Sequence, residues 1–309
     1  MGAMNWARGQ LGKAMPAGPA EPLKSRDVLK TYRYLRIGMI GAVVLLAASI
    51  VIEHMKAGCW QTSVSAYYFT PVRSIFVGSM IAVGLALIVY KGRSALEDAF
   101  LNVAGMLAPV VAVAPTMDFG RCWSVKPNPL PINHDGSVAV WVVRSIDNNV
   151  HALLIAGGIG VVVAFIIAIV VNRGDRPQEE RVDRWTMVSL AATALALVVG
   201  WLLIQQWGDF NTRAHGLAAV FMFIFLTAAI IVKAIEHRHE RDKAWFWVYS
   251  AIAALMTLGA VIISVPPRIF DEYTTFALEA YEIAFFAAYW IVQTAENWNE
   301  KVTSIAPAG

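Results

Sequence analysis

Charge is scarce in this sequence. Of 309 residues only 15% are Asp, Glu, Lys or Arg, against roughly 25% in soluble domains. Sparse charge with 58% hydrophobic residues excludes a disordered chain, which lacks the apolar content to collapse. The net charge of +3 is too small to point to nucleic acid. Cysteine is almost missing too, with two in the whole chain, which excludes a disulfide-dense secreted module. There is no Gly-x-x-x-x-Gly-Lys-Ser/Thr, no Gly-x-Ser-x-Gly and no His-Glu-x-x-His, so nothing in the sequence points to nucleotide use, a serine-hydrolase elbow or a zincin site.

What the sequence does have is long apolar runs. Eight can be marked, at 36–55, 74–90, 97–116, 149–171, 185–206, 215–234, 245–265 and 275–295. Most reach the roughly 20 residues that cover about 30 Å of hydrocarbon as a helix. The second is short, and Tyr67-Tyr68-Phe69 extend it outward as an aromatic belt. Pro109 and Pro115 are expected to kink the third. The first run is longer than the apolar core of a signal peptide, so it is expected to remain as a span. The fold class is therefore all-α, a polytopic membrane helix bundle with eight transmembrane helices over 35–298. A flexible cytoplasmic tail is expected at 1–34, a cytoplasmic tail at 299–309, and the long outside loop at 117–148. With the first residues cytoplasmic, 18 of the 25 Lys and Arg fall on the cytoplasmic side. The positive-inside rule then puts both termini in the cytoplasm, and an odd number of spans would spoil the balance. The location read from this is the cell membrane, a bacterial inner membrane. In the outside loop, Val138–Val143 reads as a strand or an interfacial segment. Gly157, Gly158 and Gly160 would allow close helix contact within or between chains.

Cys59 and Cys122 both fall in outside loops, on the oxidising side. This predicts a Cys59–Cys122 disulfide tying the second outside loop to the first. Two thiolates alone lack the further ligands of a metal site.

Ionisable groups at membrane depth are costly and usually paired or functional. Glu279 and Glu282, three apart on the last segment, share a helix face. Candidate partners open or close other spans on the same side: His151, His215, Glu53, His54, Arg73, Asp118, Gln205 and Gln206. Together they predict an outward-facing polar pocket lined by Glu282, Glu279, His151 and His215, with Tyr67, Tyr68 and Arg73 at its mouth. Ion pairing of the two glutamates with Arg73 or Arg213 is the competing structural reading. On the inner side, Glu97 and Asp98 read as helix-start carboxylates that suit the macrodipole. Glu236–Lys243 reads as a solvated cytoplasmic loop.

The stretch Ser63–Gly78, followed by Tyr90-Lys-Gly, Glu97-Asp98, Asn102-Val-Ala-Gly105 and Ala114-Pro115-Thr116, resembles a group of uncharacterised bacterial multi-pass membrane proteins. His215 and the closing helix Leu278–Glu296 share in that resemblance, which covers most of 60–296. More distantly the chain resembles DRAM-like six-span proteins. The resemblance implies a multi-pass membrane protein and no particular activity. The membrane hydrolases that include alkaline ceramidases and adiponectin-type receptors carry two His four apart on one span, and this chain has no His-x-x-x-His.

The reading is a non-enzymatic membrane protein whose pocket binds or senses a small molecule or lipid headgroup. Its partners would be membrane lipid, a small-molecule ligand or other membrane proteins, with no nucleic acid and no cofactor. The alternative is a metal-dependent hydrolase acting on lipid at the outer leaflet, with His151, His215 and Glu282 or Asp147 as ligands. A third reading places b-type haem between His151 and His215.

Overall fold

The computed structural model describes residues 25–173, 184–206, 210–239, 243–265 and 270–298. These hold eight α-helices: α1 Ser25–Ala57, α2 Arg73–Val89, α3 Ala95–Val113, α4 Val140–Arg173, α5 Arg184–Gln206, α6 Phe210–His237, α7 Ala244–Ser264 and α8 Thr274–Glu296. Among the described residues there is no strand, only an isolated bridge between Ile132 and Val138. Six helices are long and apolar enough to cross a membrane, namely α1, α3, α4, α6, α7 and α8. α2 has 17 residues, and the apolar stretch of α5 is shorter, Thr193–Leu202. Helices suit such runs because in lipid every backbone N–H and C=O must find its partner within the segment.

Two boundaries move. α1 starts at Ser25, inside the segment expected as tail, while 1–24 and 299–309 lie outside the described residues. α4 starts at Val140, so of the hydrophobic run at 138–143 the last four residues are its first turn, while Val138, just before it, makes the isolated bridge to Ile132 and no strand forms. Val142, Ile146 and Val150 form a buried stripe at a spacing of four, the helical repeat. Arg144, Asp147, Asn148 and Asn149 interrupt the run and hid that stripe.

α3 is well specified locally. Ser94 is extended and its hydroxyl accepts from the Glu97 N–H at 3.2 Å, an N-cap that satisfies one free donor. Pro109 lies inside the helix and Pro115 beyond its end. α3 packs closely on α2 and α6. Gly84 and Gly105 make the first contact possible, since a Cβ on either would lie 2.7 Å from the other's carbonyl oxygen. The small residues let the two backbones touch. α4 and α5 pack mainly on each other, with Gly157 facing Leu197. Much of α4 is exposed and apolar, including Ile155, Ile159, Val163 and Ile166.

The helices alternate in direction, so the bundle has two distinct ends. One carries the Cys59–Cys122 disulfide, the loops 58–72 and 114–139, and the starts of α6 and α8. At the other the start of α1 meets the end of α8, where Arg33 donates to the Trp298 carbonyl and stacks over its ring.

Candidate functional site

At the disulfide end the two loops form a cap. Cys59 and Cys122 are bonded, with Cα atoms 6.0 Å apart. Gln61 clamps the same junction: its Oε1 accepts from the N–H of Arg121 at 2.9 Å and of Cys122 at 3.3 Å, and its amide donates to the Cys122 carbonyl. Buried Glu53 accepts from the Ser124 N–H at 2.9 Å and hydroxyl at 2.7 Å. Thr62 donates to Asp118 at 2.6 Å, and its carbonyl accepts from Phe276 N–H on α8. The loop 58–72 is thereby fixed to α1, to the second loop and to α8. Purified protein is expected to show no reactive thiol when denatured without reductant and two after reduction. One free thiol per chain or more before reduction contradicts the bridge.

The cap positions the decisive group, Ser65, in a short 3-10 turn. Its hydroxyl lies 2.8 Å from Glu279 Oε1 and 2.8 Å from His215 Nε2, and its N–H donates to Glu279 Oε2 at 3.0 Å. His215 Nδ1 lies 2.7 Å from the Ala114 carbonyl, which ends α3. A carbonyl only accepts, so Nδ1 carries hydrogen. The chain Glu279–Ser65–His215 then needs two hydrogens for its two bonds, and Ser65 supplies one. The second comes from Glu279 as a carboxylic acid or from His215 as imidazolium. Both arrangements satisfy every bond, so this chain holds one shared proton. Ser65 and His215 are buried, and Glu279 is partly so.

His215 also lines a cavity of about 340 Å³ with Thr116, Met117, Arg213, Gly216 and Leu217. The expected mouth differs. Tyr67 and Tyr68 are buried in the cap. The Tyr67 ring lies against Phe276, and burial pushes its phenol above the usual tyrosine range. Arg73 donates to the Tyr68 hydroxyl at 2.6 Å and lies over its ring. None of the three lines this cavity, because the hydrophobic faces of both tyrosines are better buried than wetted.

His151 and Glu282 do not join the chain of hydrogen bonds. His151 binds within its own helix, Nδ1 to the Asp147 carbonyl at 2.7 Å and to its carboxylate at 3.3 Å. Glu282 is 4% exposed, and neither carboxylate oxygen has a hydrogen-bond partner. It lies about 4.5 Å along the helix axis from Glu279, by the rise per residue. No group of three His, Cys, Asp or Glu among the described residues could hold a metal ion. The ligand set His151, His215 and Glu282 is therefore corrected: His215 is committed to Ser65 and Ala114, and His151 to Asp147.

A second polar cluster, at the end where α1 meets α8, was read in the sequence as ordinary helix-end chemistry and is not. Glu97 is fully buried; it accepts from the Arg93 N–H at 2.8 Å, the Tyr289 hydroxyl at 3.3 Å and Gln293 Nε2 at 3.4 Å. Glu296 accepts from the Tyr249 hydroxyl at 2.5 Å and lies 2.9 Å from His237 Nε2, 3.3 Å from Arg93 and 3.9 Å from Lys233 Nζ. Lys233 and His237 are each 1% exposed, so the solvated loop expected at 236–243 begins after His237. Asp98 does behave as expected, taking the Gly92 N–H and Lys91 at the helix start. Lys233, Glu236 and His237 follow one another at helical spacing on α6, and that spacing was the available signal.

Comparison with protein-family models, with curated proteins and with solved structures finds no match.

Proposed function

We propose that this chain is an integral membrane protein that crosses the bilayer eight times with both termini cytoplasmic. At the disulfide end it carries an outward-facing polar pocket that binds a small molecule or lipid headgroup of acidic character. The observation that carries this reading is the cavity at the start of α6. Buried His215, held in place by Ser65 and Ala114, forms part of its wall, beside Arg213 and Thr116. A cationic and a hydroxyl-bearing residue set among Met117 and Leu217 suit a group that is anionic at one end and apolar at the other. The cell membrane supplies such groups as phospholipid, and free organic acids share the chemistry. The skew of Lys and Arg supports the orientation, and the disulfide suits an oxidising outer face.

Protein in neutral detergent, titrated with short-chain phosphatidylglycerol and separately with short-chain phosphatidylcholine, tests the pocket by its thermal unfolding. A saturating rise in midpoint is expected with the anionic lipid and not with the zwitterionic one, and Arg213→Ala is expected to remove it. An equal rise with both lipids, or one that Arg213→Ala leaves intact, contradicts the pocket.

A further inference from the structure

One part of the cavity wall at the start of α6 is bare backbone. Gly216 lines the cavity, and among the described residues a Cβ there would meet nothing within 4 Å. Glycine weakens a helix relative to alanine, so a glycine inside one calls for a reason. Gly216 lies within the helix, so no turn requires it, and no backbone presses on it as Gly84 presses on Gly105. What it leaves is room on the cavity side. That room is limited. At about 340 Å³ the cavity stands near the lower end of ligand sites. It equals the liquid volume of about eleven waters.

From the cavity an apolar stripe leads away along α6. Leu217 lines the cavity and is itself exposed, and Val220, Phe221 and Ile224 follow it, all exposed. Their helical spacing puts the four side chains on one face, over about 10 Å of helix. A socket holding Arg213 and Thr116 thus stands at the outer end of an exposed hydrocarbon strip.

We propose that the occupant is a phospholipid of the surrounding bilayer with a small anionic head, of the size of phosphoglycerol. The head sits in the cavity beside Arg213 and Thr116. Gly216 sets the largest head admitted, and an acyl chain lies along Leu217, Val220, Phe221 and Ile224. This rests on the pocket described above and adds its occupant and the residue that selects it. Phosphoglycerol has about ten non-hydrogen atoms and phosphoinositol about sixteen, so at roughly one water volume per atom only the first fits. The two heads carry the same charge, so size alone separates them. His215 has both ring nitrogens bonded, so it shapes the wall and leaves the anion to Arg213 and Thr116.

The full chain in neutral detergent, followed by thermal unfolding while short-chain phosphatidylglycerol is added, tests this. Short-chain phosphatidylinositol is expected to need about tenfold more lipid for half of the midpoint shift. Gly216→Leu, which fills the socket, is expected to raise the half-saturating concentration of phosphatidylglycerol about tenfold or more. Gly216→Ala is expected to raise it about threefold, and Gly158→Leu, away from the cavity, to leave it unchanged. Free glycerol phosphate is expected to compete with the lipid, but about tenfold or more weakly, because it lacks the chain. The ligand-free midpoint and an intact disulfide show that each variant is folded, and if Gly216→Leu does not fold, Gly216→Ala decides in its place. Wild-type affinity in the deciding Gly216 variant overturns the proposal, as does equal affinity for the two lipids. Competition by glycerol phosphate as strong as that of the lipid makes a free solute the occupant instead. No competition at about a hundredfold excess means that the head lies elsewhere, and also overturns it. A phosphatidylglycerol shift that Arg213→Ala removes and Gly216→Leu keeps leaves the pocket standing without this occupant, whereas no shift in wild type removes both.

Discussion

Lys233→Ala is expected to unfold the protein at ordinary temperature or lower its unfolding midpoint more than other single side-chain truncations in the bundle. Lys233 is 1% exposed, 3.9 Å from Glu296, and shares its end of the bundle with Glu97, which is fully buried. Removing one partner of a buried ionic group costs about 3–5 kcal/mol, because the remaining charge keeps its desolvation penalty without its attraction. Tyr249, Tyr289 and Gln293 donate to these carboxylates but carry no charge, and Arg93, 3.3 Å from Glu296, is 38% exposed, so solvent weakens its attraction and it offsets only part of the loss. The double variant Lys233→Met with Glu296→Gln is therefore expected to be more stable than Lys233→Met alone. Thermal unfolding in detergent, read by tryptophan fluorescence or size-exclusion, measures both. If Lys233→Ala shifts the midpoint no more than an exposed lysine such as Lys91→Ala, the cluster is not a buried ionic network.

The second large effect is expected at the α2–α3 contact. In Gly105→Ala the new methyl would meet the Gly84 carbonyl oxygen at 2.7 Å and an Ile88 carbon at 2.9 Å. The oxygen belongs to a helix backbone and cannot rotate away as a side-chain end would, so the helices must separate. Overpacking in a dense interior costs about 1–3 kcal/mol and sometimes more. Separation would also loosen α3 from α6, because Leu101, Ala104 and Ala108 on α3 are all fully buried. Gly158→Ala is the control, since a Cβ there meets nothing within 4 Å. Its midpoint is expected to stay within about 0.5 kcal/mol of wild type, as for surface changes. Equal effects at the two glycines contradict close packing of α2 on α3.

Much of the architecture was legible. Each of the eight apolar runs became a helix, because length and hydropathy leave a membrane segment few alternatives. Helix starts were less legible. The Val142, Ile146 and Val150 stripe that begins α4 is visible only once polar residues are allowed on the other faces of the same turns. The disulfide could be read because two cysteines offer one pairing, and topology puts both on one side. At the site, the sequence grouped His215 and Glu279 with His151 and Glu282; only the first two share a chain of hydrogen bonds, and Ser65, which joins them, carried no signal. A serine in a loop is unremarkable until the fold places it between an acid and a base. The opposite misreading fell on Glu97 and His237. Helix-end charges are usually wetted, and beyond the helical spacing of Lys233, Glu236 and His237 the linear pattern does not say that α8 packs over them.

That closure has a practical reach. Because Arg33 of α1 holds the Trp298 carbonyl after α8, the outermost helices of the chain finish side by side. Dyes attached near these two positions would report the assembled bundle as high energy transfer in a single molecule. Pulling on the same two points would load the whole chain between them in series, beginning with the two helices that carry the handles.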